Sequence, residues 1–134
     1  MKKICLTLSL LLAFLDVFAQ EITYKEVKNV PNSSSEESYA KERCKLDIYY
    51  PENLKDCPTV VWFHGGGLTS GNKSIPWKLK NVGLVVVAVY FRLLPNVTID
   101  TCLNDAAAAV AGTFREVTRH EDTSLPGLDW IRNG

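Results

Sequence analysis

Residues 58–71 constrain the fold more than any other stretch of this chain, because a strand-like pattern there stops on a histidine and three glycines. Thr59 to Phe63 carries no charge and is rich in β-branched and aromatic residues, the pattern of a strand covered on both faces. The glycines cannot serve packing, since each costs backbone entropy and offers no side chain. They do permit positive φ, and they let a ligand approach the backbone N–H groups closely.

A strand that ends in His64-Gly65-Gly66-Gly67 is therefore a candidate oxyanion hole, in which fixed N–H donors meet the charge that develops on a carbonyl oxygen. A glycine-rich turn without chemistry fits the same four residues. The flanking sequence has to decide between these two interpretations.

The amino terminus reads as a targeting segment. Lys2 and Lys3 precede an apolar run over residues 4–15, and Val17 and Ala19 are small residues suited to cleavage after position 19. The run is too short to cross a bilayer, so no stable membrane span is expected. The pattern predicts a signal peptide over residues 1–19 and a periplasmic or extracellular location.

The remaining residues, 20–134, are sufficient for one small domain. Without Lys2, Lys3 and Asp16, the 15 basic and 15 acidic residues reduce to a net charge of −1. This balance argues against nucleic acid or an anionic membrane as partner. Free thiols are favoured over a Cys44–Cys57 disulfide, and the cysteine spacing matches no zinc motif, so neither metal nor cofactor is expected. The cysteines concerned are Cys44, Cys57 and Cys102.

Apolar periodicity predicts strands over residues 20–30, 44–50, 59–63 and 84–89, of which the last two read as fully buried. The crossover of about 20 residues between those two suggests parallel strands and an α/β fold. A helix is expected to begin near Thr98 or Asp100, and Gly112 interrupts it at a cost of about 1 kcal/mol relative to alanine. Its apolar face is predicted to contain Leu103, Ala106, Ala107, Val110, Phe114 and Val117.

Four motifs occur in a fixed order: Leu-Asp-Ile-Tyr-Tyr-Pro at 46–51, Val-Val-Trp-Phe-His-Gly-Gly-Gly at 60–67, Val-Tyr-Phe-Arg-Leu-Leu-Pro at 89–95, and Asn-Asp followed by alanines at 104–110. Together they resemble the amino-terminal half of an α/β-hydrolase of the esterase and lipase group, which includes hormone-sensitive-lipase-like and carboxylesterase-like enzymes. The resemblance is strongest over residues 44–111, and residues 120–134 diverge from it.

The resemblance implies a partial α/β-hydrolase fold, with a mixed, mostly parallel sheet of about four strands and a covering helix. It implies that Gly65, Gly66 and Gly67 supply the oxyanion-hole amides with His64 in support. Residues with a structural role would be Arg92, Pro95 and Asp105. The intact relative would hydrolyse a small-molecule or carbohydrate ester through an acyl-enzyme without a cofactor; the resemblance leaves the oligomeric state open.

The chain departs from this family at its nucleophile. The family carries a Gly-x-Ser-x-Gly elbow after the alanine-rich helix, followed by an acid and then a histidine. No serine here has a glycine two positions before it, and the only histidines are His64 and His120. None of the triad is therefore present. We expect a truncated or frame-shifted copy, whose sequence stops resembling the family near residues 120–125.

Two other classes remain open: a non-catalytic secreted binding domain derived from a hydrolase, and a two-chain enzyme whose nucleophile comes from another polypeptide. Ser70 and Ser74 lie near the glycines, but neither has a base available other than His64. Residues 120–122 (His-Glu-Asp) read as a solvated helix end rather than a metal site. Trp62 is expected in the core, and Trp77 either lines a pocket or covers the surface. The isolated chain is expected to aggregate or to fold only in part.

Overall fold

The structure, a computed structural model, describes the backbone of residues 21–119 and the side chains as far as residue 114. The predicted signal peptide at 1–19 and the divergent tail at 120–134, with His120, lie outside the described residues. The same holds for the side chain of Val117.

Within residues 21–119 the chain forms four strands, two α-helices and one short 3₁₀ turn. In chain order they are β1 (Tyr24–Pro31), α1 (Ser38–Arg43), β2 (Lys45–Pro51), β3 (Thr59–Phe63), the 3₁₀ turn (Trp77–Leu79), β4 (Val85–Tyr90) and α2 (Ile99–Arg119). All four strands and the long helix lie where the sequence pattern predicted them. The short helix α1 was not predicted, because its six residues are too few to show a helical period.

The strands form one sheet in the order β1-β2-β4-β3. β1 pairs antiparallel with β2, β2 pairs antiparallel with β4, and β3 pairs parallel with β4. The predicted mixed sheet of an α/β fold is confirmed. Its parallel content is one pair rather than the expected majority, because only the link over residues 64–84 returns the chain to the same end of the sheet.

The core lies where the two central strands meet α2. Leu46 and Ile48 of β2 lie opposite Val89 and Val87 of β4, and all four are buried. From α2, Cys102 and Ala109 complete the same buried cluster. These small side chains let the helix axis approach the sheet closely.

The predicted apolar face of α2 is wrong by about one residue around the helix. Leu103 and Phe114 are 55% and 64% exposed. The buried positions are Cys102, Asp105, Ala109 and Thr113, which recur at helical spacing. A buried ion pair of Asp105, described below, requires this rotation of the helix, which the apolar pattern could not indicate.

The prediction that β3 is covered on both faces is also wrong. Trp62 and Phe63, which are consecutive in the strand and therefore point to opposite faces, are 39% and 37% exposed. Within residues 21–119 this strand also pairs with β4 alone. Trp62 is therefore at an edge and not in the core. None of the helices in the described part of the chain is long and apolar enough to cross a bilayer.

Candidate oxyanion loop

The loop that begins with His64 follows directly after β3, at the carboxyl end of the strand. Since β3 and β4 are parallel, the segment after β4 emerges at the same edge of the sheet. The His64 ring stacks on Phe91 with the ring centroids 5.0 Å apart, and it meets Tyr90 edge-on at 5.8 Å. Carboxyl ends of parallel strands are where open α/β sheets bind ligands.

The backbone of this loop has a run of positive φ angles: 123° at Gly66, 59° at Gly67 and 64° at Leu68. The carbonyl oxygen of Gly66 closes the turn by accepting hydrogen bonds from the amides of Thr69 at 3.1 Å and Ser70 at 3.2 Å. A Cβ atom at Gly66 would lie 2.1 Å from the Ser70 carbonyl oxygen. Position 66 therefore requires glycine both for its φ and for space.

Gly65 and Gly67 are in open space, because a Cβ atom at either position would meet no atom within 4 Å. Among the hydrogen bonds within residues 21–119, none uses the amide of Gly65, Gly66 or Gly67 as donor. The loop thus combines a fixed backbone with donors that are not used by the fold. Unused amides on a fixed backbone are one requirement of an oxyanion hole.

His64 is tied to its own loop. Its Nδ1 lies 2.8 Å from the carbonyl oxygen of Gly65, and since a carbonyl only accepts, this hydrogen bond places the proton on Nδ1. Nε2 is buried and has no hydrogen-bond partner among the described residues. The geometry gives His64 the role of a brace on the loop.

Arg92 and Asp105 form a bidentate ion pair. Arg92 Nε donates to Asp105 Oδ2 at 2.8 Å and Nη2 donates to Oδ1 at 2.7 Å, while the Arg92 amide donates to Oδ2 at 3.2 Å. Burial alone would raise the pKa of Asp105, but the hydrogen bonds from Arg92 and its charge outweigh burial and hold that pKa below its usual range. The same bonds raise the pKa of Arg92. The structure thus brings together the two residues expected to join the loop after β4 to the helix.

Pro95 follows a cis peptide bond with Leu94. The amide of Leu94 donates to the carbonyl oxygen of Leu68 at 2.9 Å, which links the segment after β4 to the glycine loop. Burial raises the pKa of the nearby Cys44 thiol to about 11, and the charge of Asp105 adds to this effect. Cys44, Cys57 and Cys102 are free thiols.

The serines near the loop do not form a catalytic pair. Ser70 Oγ donates to the Gly66 carbonyl oxygen at 3.2 Å, and Ser74 is exposed. Among the described residues no group of three or more His, Cys, Asp or Glu side chains is arranged to hold a metal ion.

Sequence reasoning missed one set of residues that supports the loop from below: Arg43, Asp47, Lys73 and Tyr90. Arg43 and Tyr90 are 47 positions apart in the sequence, and Asp47 and Lys73 are 26 apart. Contacts over such separations leave no periodic signal. The only available signals were the charge of Asp47 and the hydroxyl of Tyr90 within strands, since Arg43 ends α1 and Lys73 lies between β3 and the 3₁₀ turn.

Known structures match this geometry, although no family model and no curated protein matches the sequence. Esterase B from Lactobacillus rhamnosis, in a structure with a tributyrin phosphonate inhibitor, matches with a TM-score of 0.52 and 22% identity over 81% of this chain. A bacterial heroin esterase matches with a TM-score of 0.52 and 21% identity over 86% of this chain.

The chain has a partial α/β-hydrolase fold. It spans 37% of the length of either esterase. At these identities the likeness establishes the fold alone.

Proposed function

We propose that this chain carries the oxyanion-hole part of a carboxylic-ester hydrolase that works through an acyl-enzyme. The observation that carries the proposal is the loop at the carboxyl end of β3, with φ of 123° at Gly66 and 59° at Gly67 and with three consecutive amides that donate to no other described residue. The esterase-like fold supports it.

Ester hydrolysis needs such a loop because the carbonyl oxygen of the substrate becomes negatively charged in the tetrahedral intermediate. Backbone amides that are already in position stabilise this charge without reorganising during the reaction. Removal of one donor from an oxyanion hole typically lowers kcat by about 10²- to 10³-fold. Gly65, Gly66 and Gly67 are the donors that we assign, and His64 holds the first of them.

The proposal places the nucleophile outside residues 1–134. In a serine hydrolase a serine attacks the carbonyl carbon, a histidine takes its proton and returns it to the leaving group, and an acid orients the histidine. No serine of this chain has a glycine two positions before it. We propose that the coding sequence downstream contains the Gly-x-Ser-x-Gly elbow, in the same reading frame or a shifted one.

Labelling with a fluorophosphonate, which reacts with activated serines, tests this proposal. We expect no labelling of residues 20–134 alone, and labelling when the downstream coding sequence is expressed together with them. Tributyrin and p-nitrophenyl butyrate are suitable substrates, since a tributyrin phosphonate occupies the esterase B structure. A downstream sequence without the elbow in any frame would refute the proposal.

A second candidate is a non-catalytic secreted binding domain derived from a hydrolase, which the lack of an elbow favours. It predicts that the chain alone is folded and binds a butyrate ester without turnover. If the extended product is labelled and hydrolyses the ester, this candidate is excluded.

We further propose that the chain is exported through residues 1–19. Mass spectrometry of the mature protein, recovered from outside the cytoplasm of the expressing cell, should show an amino terminus at Gln20. Retention of Met1 in that fraction would contradict the proposal.

A further inference from the structure

Residues 71–73, which follow the turn closed by Gly66, are each held by a side-chain contact to α1 or to the sheet. The carbonyl oxygen of Gly71 accepts from Arg43 Nη2 at 3.3 Å. Asn72 Oδ1 accepts from the Tyr90 hydroxyl at 2.6 Å. Lys73 Nζ donates to Asp47 Oδ1 at 2.7 Å.

Arg43 contacts both Gly71 and Tyr90, and so takes part in the first two of these contacts. Its side chain is buried, its Nε donates to the Phe91 carbonyl oxygen at 3.1 Å, and its Nη1 donates to the Tyr90 hydroxyl. The guanidinium carbon lies 3.5 Å from the centroid of the Tyr90 ring. One planar, forked group thus contacts the end of β4 and the carbonyl oxygen of Gly71 together, which an ammonium group cannot reproduce.

Gly71 packs closely against the glycine loop, so the contact from Arg43 also restrains that loop. A Cβ atom at Gly71 would lie 2.3 Å from both the Gly65 carbonyl oxygen and His64 Nδ1. Those two atoms are the partners of the hydrogen bond that braces the loop. A displacement of Gly71 would therefore change the His64–Gly65 hydrogen bond.

Lys73 provides a second, independent tie. Its side chain and that of Asp47 are only 12% and 9% exposed, and Asp47 Oδ1 also accepts from the Asn29 amide at 2.8 Å. Asn29 has φ of 59° and lies at the irregularity in the pairing of β1 with β2. Lys73 thus fixes the far end of the segment, while Arg43 fixes the end that contacts His64.

We propose that Arg43 is a positioning residue of the candidate oxyanion loop, which it holds through Gly71 and the His64–Gly65 hydrogen bond. The proposal rests on the proposed function and extends it to a residue outside the four motifs. Arg43 touches no substrate; it acts by keeping the loop backbone in one conformation.

The test compares Arg43→Gln and Arg43→Lys with a control, Lys41→Gln, on the same helix. The Lys41 side chain is exposed, and within the described residues its only ion pair is with Glu36. The first readout is the imidazole ¹⁵N spectrum of His64, recorded with labelled histidine on dilute samples, with His120→Asn to assign the two signals. The second is hydrogen exchange of the Thr69 and Ser70 amides, which report the turn at Gly66.

In both Arg43 variants we expect His64 to lose its preference for a proton on Nδ1. We expect the Thr69 and Ser70 amides to exchange about tenfold faster, the effect of losing one hydrogen bond to a charged group. The buried amides of Val87 and Ala88 should keep their protection, and Lys41→Gln should change neither readout. Should Arg43→Gln not fold, Arg43→Lys alone decides the question, since it retains the charge.

Unchanged His64 and loop signals in both variants would overturn the proposal. So would faster exchange of Val87 and Ala88 in parallel with the loop, because Arg43 would then stabilise the sheet as a whole. Neither readout requires ester hydrolysis. An extended product that fluorophosphonate does not label would therefore refute the proposed function without affecting this result.

Discussion

The three consecutive glycines differ in what they demand of the backbone. Gly66 combines φ of 123° with a Ser70 carbonyl oxygen that would lie 2.1 Å from any Cβ atom. Gly65 has neither a positive φ nor an atom within 4 Å of a Cβ. The glycine run in the sequence indicated a backbone with positive φ angles. Only the fold shows that position 66 is the one at which a side chain would clash.

We therefore expect Gly66→Ala to destabilise the fold by at least about 1 to 3 kcal/mol, the usual cost of a strained backbone residue. Gly65→Ala should change the free energy of unfolding by less than about 0.5 kcal/mol, as for an ordinary surface position. Urea denaturation of the two variants measures the difference. Equal midpoints would contradict the geometry of the turn.

The Arg92–Asp105 pair should make stability depend on pH in a defined direction. Because the pKa of Asp105 is held below its usual range in the fold, the ion pair stabilises the protein fully above the pKa of an unfolded aspartate, about 4. This stabilisation is lost as the pH falls through the folded pKa.

Asp105→Asn should cost about 1 to 3 kcal/mol at pH 7, because it removes the buried partner of Arg92 and leaves the more exposed Glu37 as the remaining carboxylate partner of Arg92 among the described residues. The difference in melting temperature between wild type and variant should shrink below about pH 4, as the wild-type carboxylate becomes protonated. Asp100→Asn, at an exposed position of the same helix, is the control. A difference that stays constant down to pH 2 would refute the role assigned to the pair.

At the scale of elements, the start of α2 could be predicted from the sequence, but the face that it buries could not. The helix begins at Ile99, next to Thr98, which was one of the two positions near which the sequence predicted its start. Thr98 Oγ1 accepts from the Thr101 amide at 3.3 Å, the geometry of an N-cap. The rotation of the helix was not predictable from apolar spacing, because the Arg92–Asp105 pair overrides it.

Thr98→Ala should destabilise the protein by about 1 kcal/mol, since it leaves the Thr101 amide without its side-chain acceptor. Thr98→Ser keeps the hydroxyl and should lie close to the wild type. Thermal denaturation of the three proteins decides the point, and a loss of stability in Thr98→Ser equal to that in Thr98→Ala would show that the hydroxyl is not the cause.

The strands of the sheet could be predicted because their pattern is local. Strand periodicity is local, so four strands could be placed from the sequence, and the motif order gave the esterase-like fold. The exposure of β3 could not be predicted, because the composition of a strand does not say which neighbours are present. Likewise, the support of the loop by Arg43 and Tyr90 joins residues 47 positions apart and leaves no local pattern.

At the scale of the whole molecule, the edge strand β3 presents Trp62 and Phe63 to solvent with no charged residue in its sequence. Uncharged strand edges of this kind tend to pair with other chains. We expect residues 20–134 to self-associate, and we expect Trp62→Lys to increase the monomeric fraction because it places a charge on that edge.

Trp77→Lys is the matched control, since Trp77 is 79% exposed but belongs to the 3₁₀ turn and not to a strand. Size-exclusion chromatography with light scattering should show more monomer for Trp62→Lys than for Trp77→Lys. Equal effects of the two substitutions would indicate association through exposed aromatic surface in general, and not through β3.

The central proposal is that the loop at residues 64–67 stabilises an oxyanion during ester hydrolysis. Its most direct test is the hydrolysis of p-nitrophenyl butyrate by the product that includes the downstream coding sequence, with and without Gly66→Ala. We predict fluorophosphonate-sensitive hydrolysis whose kcat falls by about 10²-fold or more in the variant, because the added Cβ atom forces the loop amides out of position, with an effect like the loss of one oxyanion donor. A folded variant with unchanged kcat, or an extended product without fluorophosphonate-sensitive hydrolysis, would contradict the proposal.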